Sequence, residues 1–310
     1  MPNTVFVTGG GGFVGAAVLD ELVARGHAAK ALTRPGGRPI PDRDGHVQAV
    51  SGELSDTAAV DAGLAGCDAV IHLVGVIAER PAAGMTFERV HVDGTRAVVE
   101  AASRAGVQRY IHMSALGTRP NAVSAYHRTK WAAEELVRAS SLDWTILRPS
   151  LIHGPRGDFT RMQAAWARRR AMPFLFMPYF AGGLLGLAGG KDVQPVYVGD
   201  VARAFVDALE KPATVGQTYA VVGPDRMRWP TMHKTFARAL TGKGRATAGI
   251  PRWYATLLTR VVPAGLLPFN LAQVQMAAED NVGDPGRLAR DLGWAPRPYE
   301  ATVLTYAGNL

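Results

Sequence analysis

Cysteine is almost absent: Cys67 stands alone in 310 residues. A lone thiol excludes an internal disulfide framework and any structural zinc site built on thiolates, and it suits a reducing compartment. The eight histidines show no ligand spacing with carboxylates, which disfavours a metal centre. No Gly-x-Ser-x-Gly elbow occurs, which disfavours a serine hydrolase. The opening MPNTVFVTGG has neither a basic segment nor an apolar one, so no secretory leader is read. The formal charge is +8. Its basic residues form no long stripe interleaved with aromatics, as nucleic-acid contact would require. The expected location is cytoplasmic, or peripheral at the inner face of a membrane.

One long stretch lacks charge altogether: residues 171–190, AMPFLFMPYFAGGLLGLAGG. Its length suits a membrane span, but Pro173, Pro178 and repeated glycines would break such a helix. The expectation is a loop lining an apolar pocket. A flap touching a membrane or a protein partner is the sharper alternative.

What is present is an alternation of two hydrophobic periods. Thr4–Val7, Ala28–Thr33, Val47–Ser51, Ala69–Val74, Arg109–Ser114 and Trp144–Arg148 read as buried strands. Phe13–Arg25, Asp56–Leu64, Met85–Ala105 and Ser124–Ser140 read as the helices between them. Strand-helix alternation at this spacing means right-handed crossovers and an α/β fold with a doubly wound, mainly parallel sheet. After Pro149 the rhythm changes. A helix is expected over Asp158–Arg170, with Arg168, Arg169 and Arg170 in its last turn, where cations suit the dipole. Val193–Val198 and Gln217–Val222 read as strands, and Asp200 as the cap of a helix Val201–Leu209. From Trp229 only helical patterns are read, which makes a small, mostly helical cap.

The first strand runs into Thr8-Gly9-Gly10-Gly11-Gly12-Phe13-Val14-Gly15. Glycines between a strand and a helix let backbone N–H groups approach a pyrophosphate, and the helix N-terminus adds partial positive charge. Gly15 would let the helix pack close to the sheet. These residues make 1–150 a dinucleotide-binding domain, completed by strands near 193–222. Residues 151–192 and 223–310 are left as a substrate or cap region. An acidic residue at the end of the second strand would hold a ribose 2′-hydroxyl, whereas a 2′-phosphate needs a cation. Here that place holds Arg34, with Arg38 four residues on, and no carboxylate lies between Lys30 and Asp42. A guanidinium fork matches phosphate, so NADP(H) is favoured over NAD(H). Glu53, beside Leu54, can accept from an adenine amino group, and Leu73, Val74 and Gly75 form a small apolar floor. His72 reads as a core histidine, His112 as structural, and His153 and His233 as surface or pocket lining.

Tyr126 and Lys130 stand at i and i+4 of an expected helix, so hydroxyl and ammonium share a face. A nearby cation stabilises phenolate and lowers the tyrosine pKa, as acid–base catalysis requires. Ser114 ends the fifth strand, on the edge where open α/β sheets bind ligands.

Thr8-Gly9…Gly12…Gly15, Ser114, Tyr126-x-x-x-Lys130 and Leu147-Arg148-Pro149-Ser150…Gly154-Pro155 resemble the extended or atypical short-chain dehydrogenase/reductase superfamily, which includes NAD-dependent epimerases and dehydratases. Val74-Gly75-Val76-Ile77, Val90-His91-Val92-Asp93-Gly94-Thr95 and Gln194-Pro195-Val196-Tyr197-Val198-Gly199-Asp200-Val201 are similar to the accessory NAD(P)H-binding alpha subunit of respiratory complex I. The resemblance implies a Rossmann domain, with Pro149 and the residues after it closing over the nicotinamide. It implies Ser114, Tyr126 and Lys130 as catalytic residues, with Tyr126 and Lys130 also holding cofactor. His91 stands where the superfamily has an active-site asparagine. Two functions follow: an NADP(H)-dependent oxidoreductase on an apolar carbonyl or alcohol, or a non-catalytic NADP(H)-binding accessory protein of a membrane respiratory complex.

Overall fold

A computed structural model describes residues 3–263 and 266–310. Residues 1–2, which open the expected first domain, and 264–265, inside the expected cap, lie outside the described residues. In chain order the elements begin β1 Thr4–Thr8, α1 Phe13–Ala24, β2 Ala28–Thr33, β3 Val47–Ser51 and α2 Thr57–Leu64. They continue with β4 Ala69–His72, α3 Gly94–Arg104, β5 Arg109–Met113, α4 Ala125–Ala139 and β6 Asp143–Pro149. Next come β7 Ile152–His153, α5 Asp158–Ala167, β8 Met177–Ala181, β9 Asp192–Val193, β10 Val196–Tyr197, α6 Val198–Glu210 and β11 Gln217–Val221. The chain ends with β12 Met227–Arg228, α7 Trp229–Thr241, β13 Thr247–Pro251, α8 Arg252–Val261, α9 Leu271–Met276, α10 Gly286–Leu292 and α11 Tyr299–Tyr306. Two compact units result: residues 3–149 with Val198–Val221 and Gly286–Trp294, and Ser150–Tyr197 with Val222–Pro285 and Ala295–Leu310.

The first unit is built on a seven-stranded sheet in the order β11-β6-β5-β4-β1-β2-β3. Every pairing in it is parallel. Parallel strands covered on both faces become continuous apolar runs, and every residue of β4 is buried. Phe6, Leu64, Val70, Val98, Tyr110 and Ile146 form one core cluster against the sheet. The chain winds one way from β1 to β3, then the other way from β4 to β11. The order therefore reverses between β1 and β4, and a crevice opens at the carboxyl ends of such a strand pair. Thr8 faces His72 in register there.

In the second unit the expected strand Val193–Val198 is split. β9 pairs antiparallel with β12 and β10 pairs parallel with β7, with Pro195 between them. Helix α5 stops at Ala167, so the expected last turn with its three arginines does not form. Arg169 takes a left-handed φ of 58°, which ends the helical path. The charge-free stretch contributes β8, which pairs in parallel with β13, a strand in the region read as wholly helical. A two-stranded sheet tolerates Pro178, since its missing donor need not face a partner. Leu175, Leu184, Leu185 and Leu187 in this stretch are exposed. Gly183, Gly186 and Gly189, which flank these leucines, all take positive φ and turn the chain back on itself. Helix α6 begins at Val198, so Asp200 lies in its first turn rather than at its cap.

Candidate functional site

The crevice at the β1/β4 reversal is a cleft of about 1240 Å³ whose lining residues all belong to the first unit. One end of it is made by the glycine loop. Gly9 holds φ +77°, a conformation that favours glycine, and its carbonyl accepts from Gly12 N–H at 3.0 Å. Gly12 caps α1 with no side-chain hydrogen bond, and no acidic residue occupies the first turn. The N–H groups of a first turn have no intrahelical partners, and Phe13, Val14 and Gly15 line the cleft. A Cβ on Gly15 would stand 2.1 Å from the Gly9 carbonyl oxygen, so only glycine lets helix and loop come this close. Small backbone, uncapped helix start and partial positive charge make a cradle that fits a pyrophosphate.

Arg34 and Arg38, at the end of β2, line the cleft and are exposed. The Arg34 Nη1 donates to Met85 Sδ at 3.3 Å. Arg80 and Arg89 line the same cleft; the sequence reading missed both. They come from the segment between β4 and α3, which folds back through an Arg80–Met85 bridge. Glu53 and Leu54, after β3, and Leu73, Val74 and Gly75, after β4, line it as well. Among the residues expected to touch a dinucleotide, His91, Tyr126, Lys130 and Pro149 are not in that lining. Pro149 closes β6, and its carbonyl accepts from Leu116 N–H at 2.9 Å.

Lys130 lies just behind Gly75. Its Nζ donates to Met113 O at 3.0 Å and Val74 O at 3.4 Å, tying together the ends of β5 and β4. A Cβ on Gly75 would come within 3.0 Å of that nitrogen. Burial pushes the Lys130 ammonium down to about 8, against the attraction of Glu134 one turn further along α4. Tyr126 is half-buried in the first turn of α4, with ring centroids 5.3 Å from His91, 5.9 Å from Phe87 and 5.2 Å from His127. Burial pushes its hydroxyl up to about 12, not down as the Lys130 pairing leads one to expect. The reason is that the ammonium is turned onto two carbonyls while the phenol sits among rings. Ser114, buried at the end of β5, donates from Oγ to Thr118 Oγ1 at 3.3 Å.

His91 occupies a π-helical turn, Glu88–Asp93, that runs directly into α3. Its Nε2 accepts from Val76 N–H at 3.1 Å, and Nδ1 lies 2.9 Å from Thr129 Oγ1. Thr129 gives its own proton to a carbonyl of α4, which assigns the Nδ1–H tautomer. Burial, helped by Lys130, holds this ring far below its ordinary pKa, so it stays neutral. His91 thus links the loop after β4 to α4. His72 bonds Thr8 at 2.7 Å and Thr95 at 3.2 Å, as a core histidine does.

A doubly wound sheet with a glycine cradle at its reversal point defines a dinucleotide-binding protein. A family model described as NAD(P)H-binding matches residues 9–167, and the chain belongs to that family, within the extended short-chain dehydrogenase/reductase superfamily. Ceramide reductase of Caulobacter vibrioides is 37% identical over 156 residues, covering 50% of this chain and 48% of that protein. Mitochondrial NADH dehydrogenase (ubiquinone) 1 alpha subcomplex subunit 9 of Mus musculus is 35% identical over 158 residues, covering 51% and 38%. The chain thus spans about half the length of these relatives, or less. Sterol demethylase protein B of Methylococcus capsulatus is 28% identical over 333 residues, covering 96% of this chain and 95% of that one. Among solved structures, MoeE5 in complex with UDP-glucose and NAD superposes with a TM-score of 0.74 at 21% identity, covering 98% of this chain and 97% of that chain. At that identity the likeness shows the fold alone.

Proposed function

We propose that the protein is an NADP(H)-dependent oxidoreductase acting on an apolar carbonyl or alcohol. The observation that carries the reading is the stacking of Lys130 behind Gly75, with Tyr126 one helical turn before it and Ser114 ending the neighbouring strand. Gly9, Gly12, Phe13, Val14 and Gly15 cradle the pyrophosphate. Glu53 and Leu54 meet the adenine, and Leu73, Val74 and Gly75 floor the adenosine side. Arg34, with Arg38, Arg80 and Arg89 around the same cleft, takes the 2′-phosphate and so prefers NADP(H). When bound, the reduced nicotinamide supplies a hydride.

The chain's own residues handle the oxygen and its proton. A hydroxyl that titrates near 12 stays protonated through the neutral range, so Tyr126 is a proton donor to the substrate oxygen. Ser114 shares that oxygen after leaving Thr118. Lys130 holds the ribose, while its ammonium ties the Val74 and Met113 carbonyls together. His91 stays a positioning residue, since both nitrogens are tied. The apolar character of the substrate draws support from the relatives named a ceramide reductase and a sterol demethylase protein. Titration with NADPH and NADH tests the cofactor assignment: NADPH should bind at least about tenfold tighter, ~1.4 kcal/mol. Arg34→Ala should erase most of that margin, and an NADH preference would overturn the assignment.

A second reading, a non-catalytic NADP(H)-binding accessory protein of a membrane respiratory complex, rests on His91 in place of asparagine and on the alpha subcomplex relative. The exposed 171–190 segment would then meet its partner. Under this reading Tyr126→Phe changes neither NADPH binding nor any NADPH oxidation across a carbonyl panel.

A further inference from the structure

Exposed apolar side chains gather on one face of the second unit. Trp253, Leu257 and Val261 recur at helical spacing along α8 and are 53%, 48% and 66% exposed, while Ala255 on the same helix is buried. The turn over 182–189 lies beside the start of that helix, where Trp253 Nε1 donates to Leu184 O at 2.9 Å. Gly186 seats this turn on β13: a Cβ there would come within 2.7 Å of Gly249 O. Leu184, Leu185 and Leu187 at its tip are 75%, 72% and 84% exposed. Scattered leucines on a surface are ordinary, but six large apolar groups on one face mark a contact.

The charge around that face is one-sided. Segments 159–191 and 226–278 hold thirteen Lys and Arg residues and no Asp or Glu, although the chain has 26 acidic residues. Arg161, Lys191, Arg226 and Arg228 reach carboxylates at the segment margins. Of the other nine, Arg168 donates to the main-chain oxygen of Leu310 at the chain end, and the remaining eight reach no Asp or Glu side chain in any ion pair among the described residues. Arg252 and Arg260 bracket the apolar stripe of α8. A surface of apolar groups among cations that mostly lack carboxylate partners complements a sheet of anionic headgroups over acyl chains. No helix of the described residues is long and apolar enough to cross a membrane, so the contact lies in the interface plane.

We propose that α8 and the 182–189 turn form a docking surface for an anionic lipid bilayer. Trp253 and the leucines enter the boundary between headgroups and acyl chains, and Arg252 and Arg260 meet lipid phosphates. The surface belongs to the second unit alone and stands whether or not the first unit turns over a substrate.

Flotation of the full chain with vesicles of phosphatidylcholine alone, or with added phosphatidylglycerol, tests this. Binding should require phosphatidylglycerol and should fall steeply toward ~1 M salt, where the Debye length shrinks to about 3 Å. Leu184→Ser with Leu185→Ser and Leu187→Ser should lower the bound fraction at least about tenfold, as lost insertion predicts. Arg252→Glu with Arg260→Glu should lower it comparably. Unchanged thermal unfolding and circular dichroism of both variants show that the second unit is folded. Equal flotation of wild type and variants, or none of wild type with anionic vesicles, overturns the proposal. So does a patch-dependent dimer in sedimentation without lipid, which would assign the face to a second copy of the chain.

Discussion

Lys130 loses its hydration when it turns onto the carbonyls of Val74 and Met113, and its ammonium falls from 10.5 to about 8. The folded chain therefore releases this proton at lower pH than the unfolded chain does. Between pH 8 and 10.5 the unfolded state binds more protons, so stability rises with pH across that window. Below it, the buried charge costs about 3 kcal/mol. Urea unfolding across the window should show this rise in the wild type and lose it in Lys130→Met. NADPH affinity should run the other way, weakening above about pH 8 as the ammonium disappears. At the other end of the cleft, Gly15→Ala must push against the Gly9 carbonyl at 2.1 Å. It should reduce NADPH affinity by more than about tenfold, ~1.4 kcal/mol, in a fluorescence titration.

Helix α4 carries the proposed chemistry on one face, and its anchoring decides where that face points. Ser124 caps it, accepting from His127 N–H at 3.2 Å. Glu134 is fully buried and accepts from Arg138 and, at 2.8 Å, from Arg148 Nε of β6. Removing one partner of such a pair strands the other, so Glu134→Ala should cost about 2 kcal/mol after discounting Arg148's partial exposure. Thermal unfolding checks this, and a loss below ~0.5 kcal/mol would show that the pair does not anchor the helix. The main strands and α1 to α4 were legible because buried parallel strands and amphipathic helices write different periods into the sequence. The β8–β13 pair was not, since each strand needs a partner some 70 residues away and neither alternates. Arg80 and Arg89 escaped for the same reason: the cleft gathers them by a fold-back that no local spacing encodes. The Arg168–Arg170 turn failed because a left-handed Arg169 is set by its surroundings rather than by helix propensity.

At the scale of the molecule, the excess charge is not a diffuse solvated coat. It sits with exposed apolar groups on two segments of the second unit, while four arginines line the cleft of the first. The places of the glycine loop, Ser114, Tyr126 and Lys130 along their elements were readable, because periodicity sets each element. Their mutual arrangement was not. The sequence alone could not show that Lys130 faces two carbonyls, that Tyr126 sits among rings, or that His91 is locked and neutral. Those facts bear on whether the site turns over. The most direct measurement is the loss of reduced-nicotinamide absorbance after NADPH-loaded protein meets a panel of apolar ketones and aldehydes, with Tyr126→Phe alongside. Oxidation of NADPH by at least one member, reduced by about a hundredfold or more in Tyr126→Phe with NADPH affinity intact, is the predicted result. Equal rates in the two proteins would contradict the assignment of Tyr126 as the proton donor.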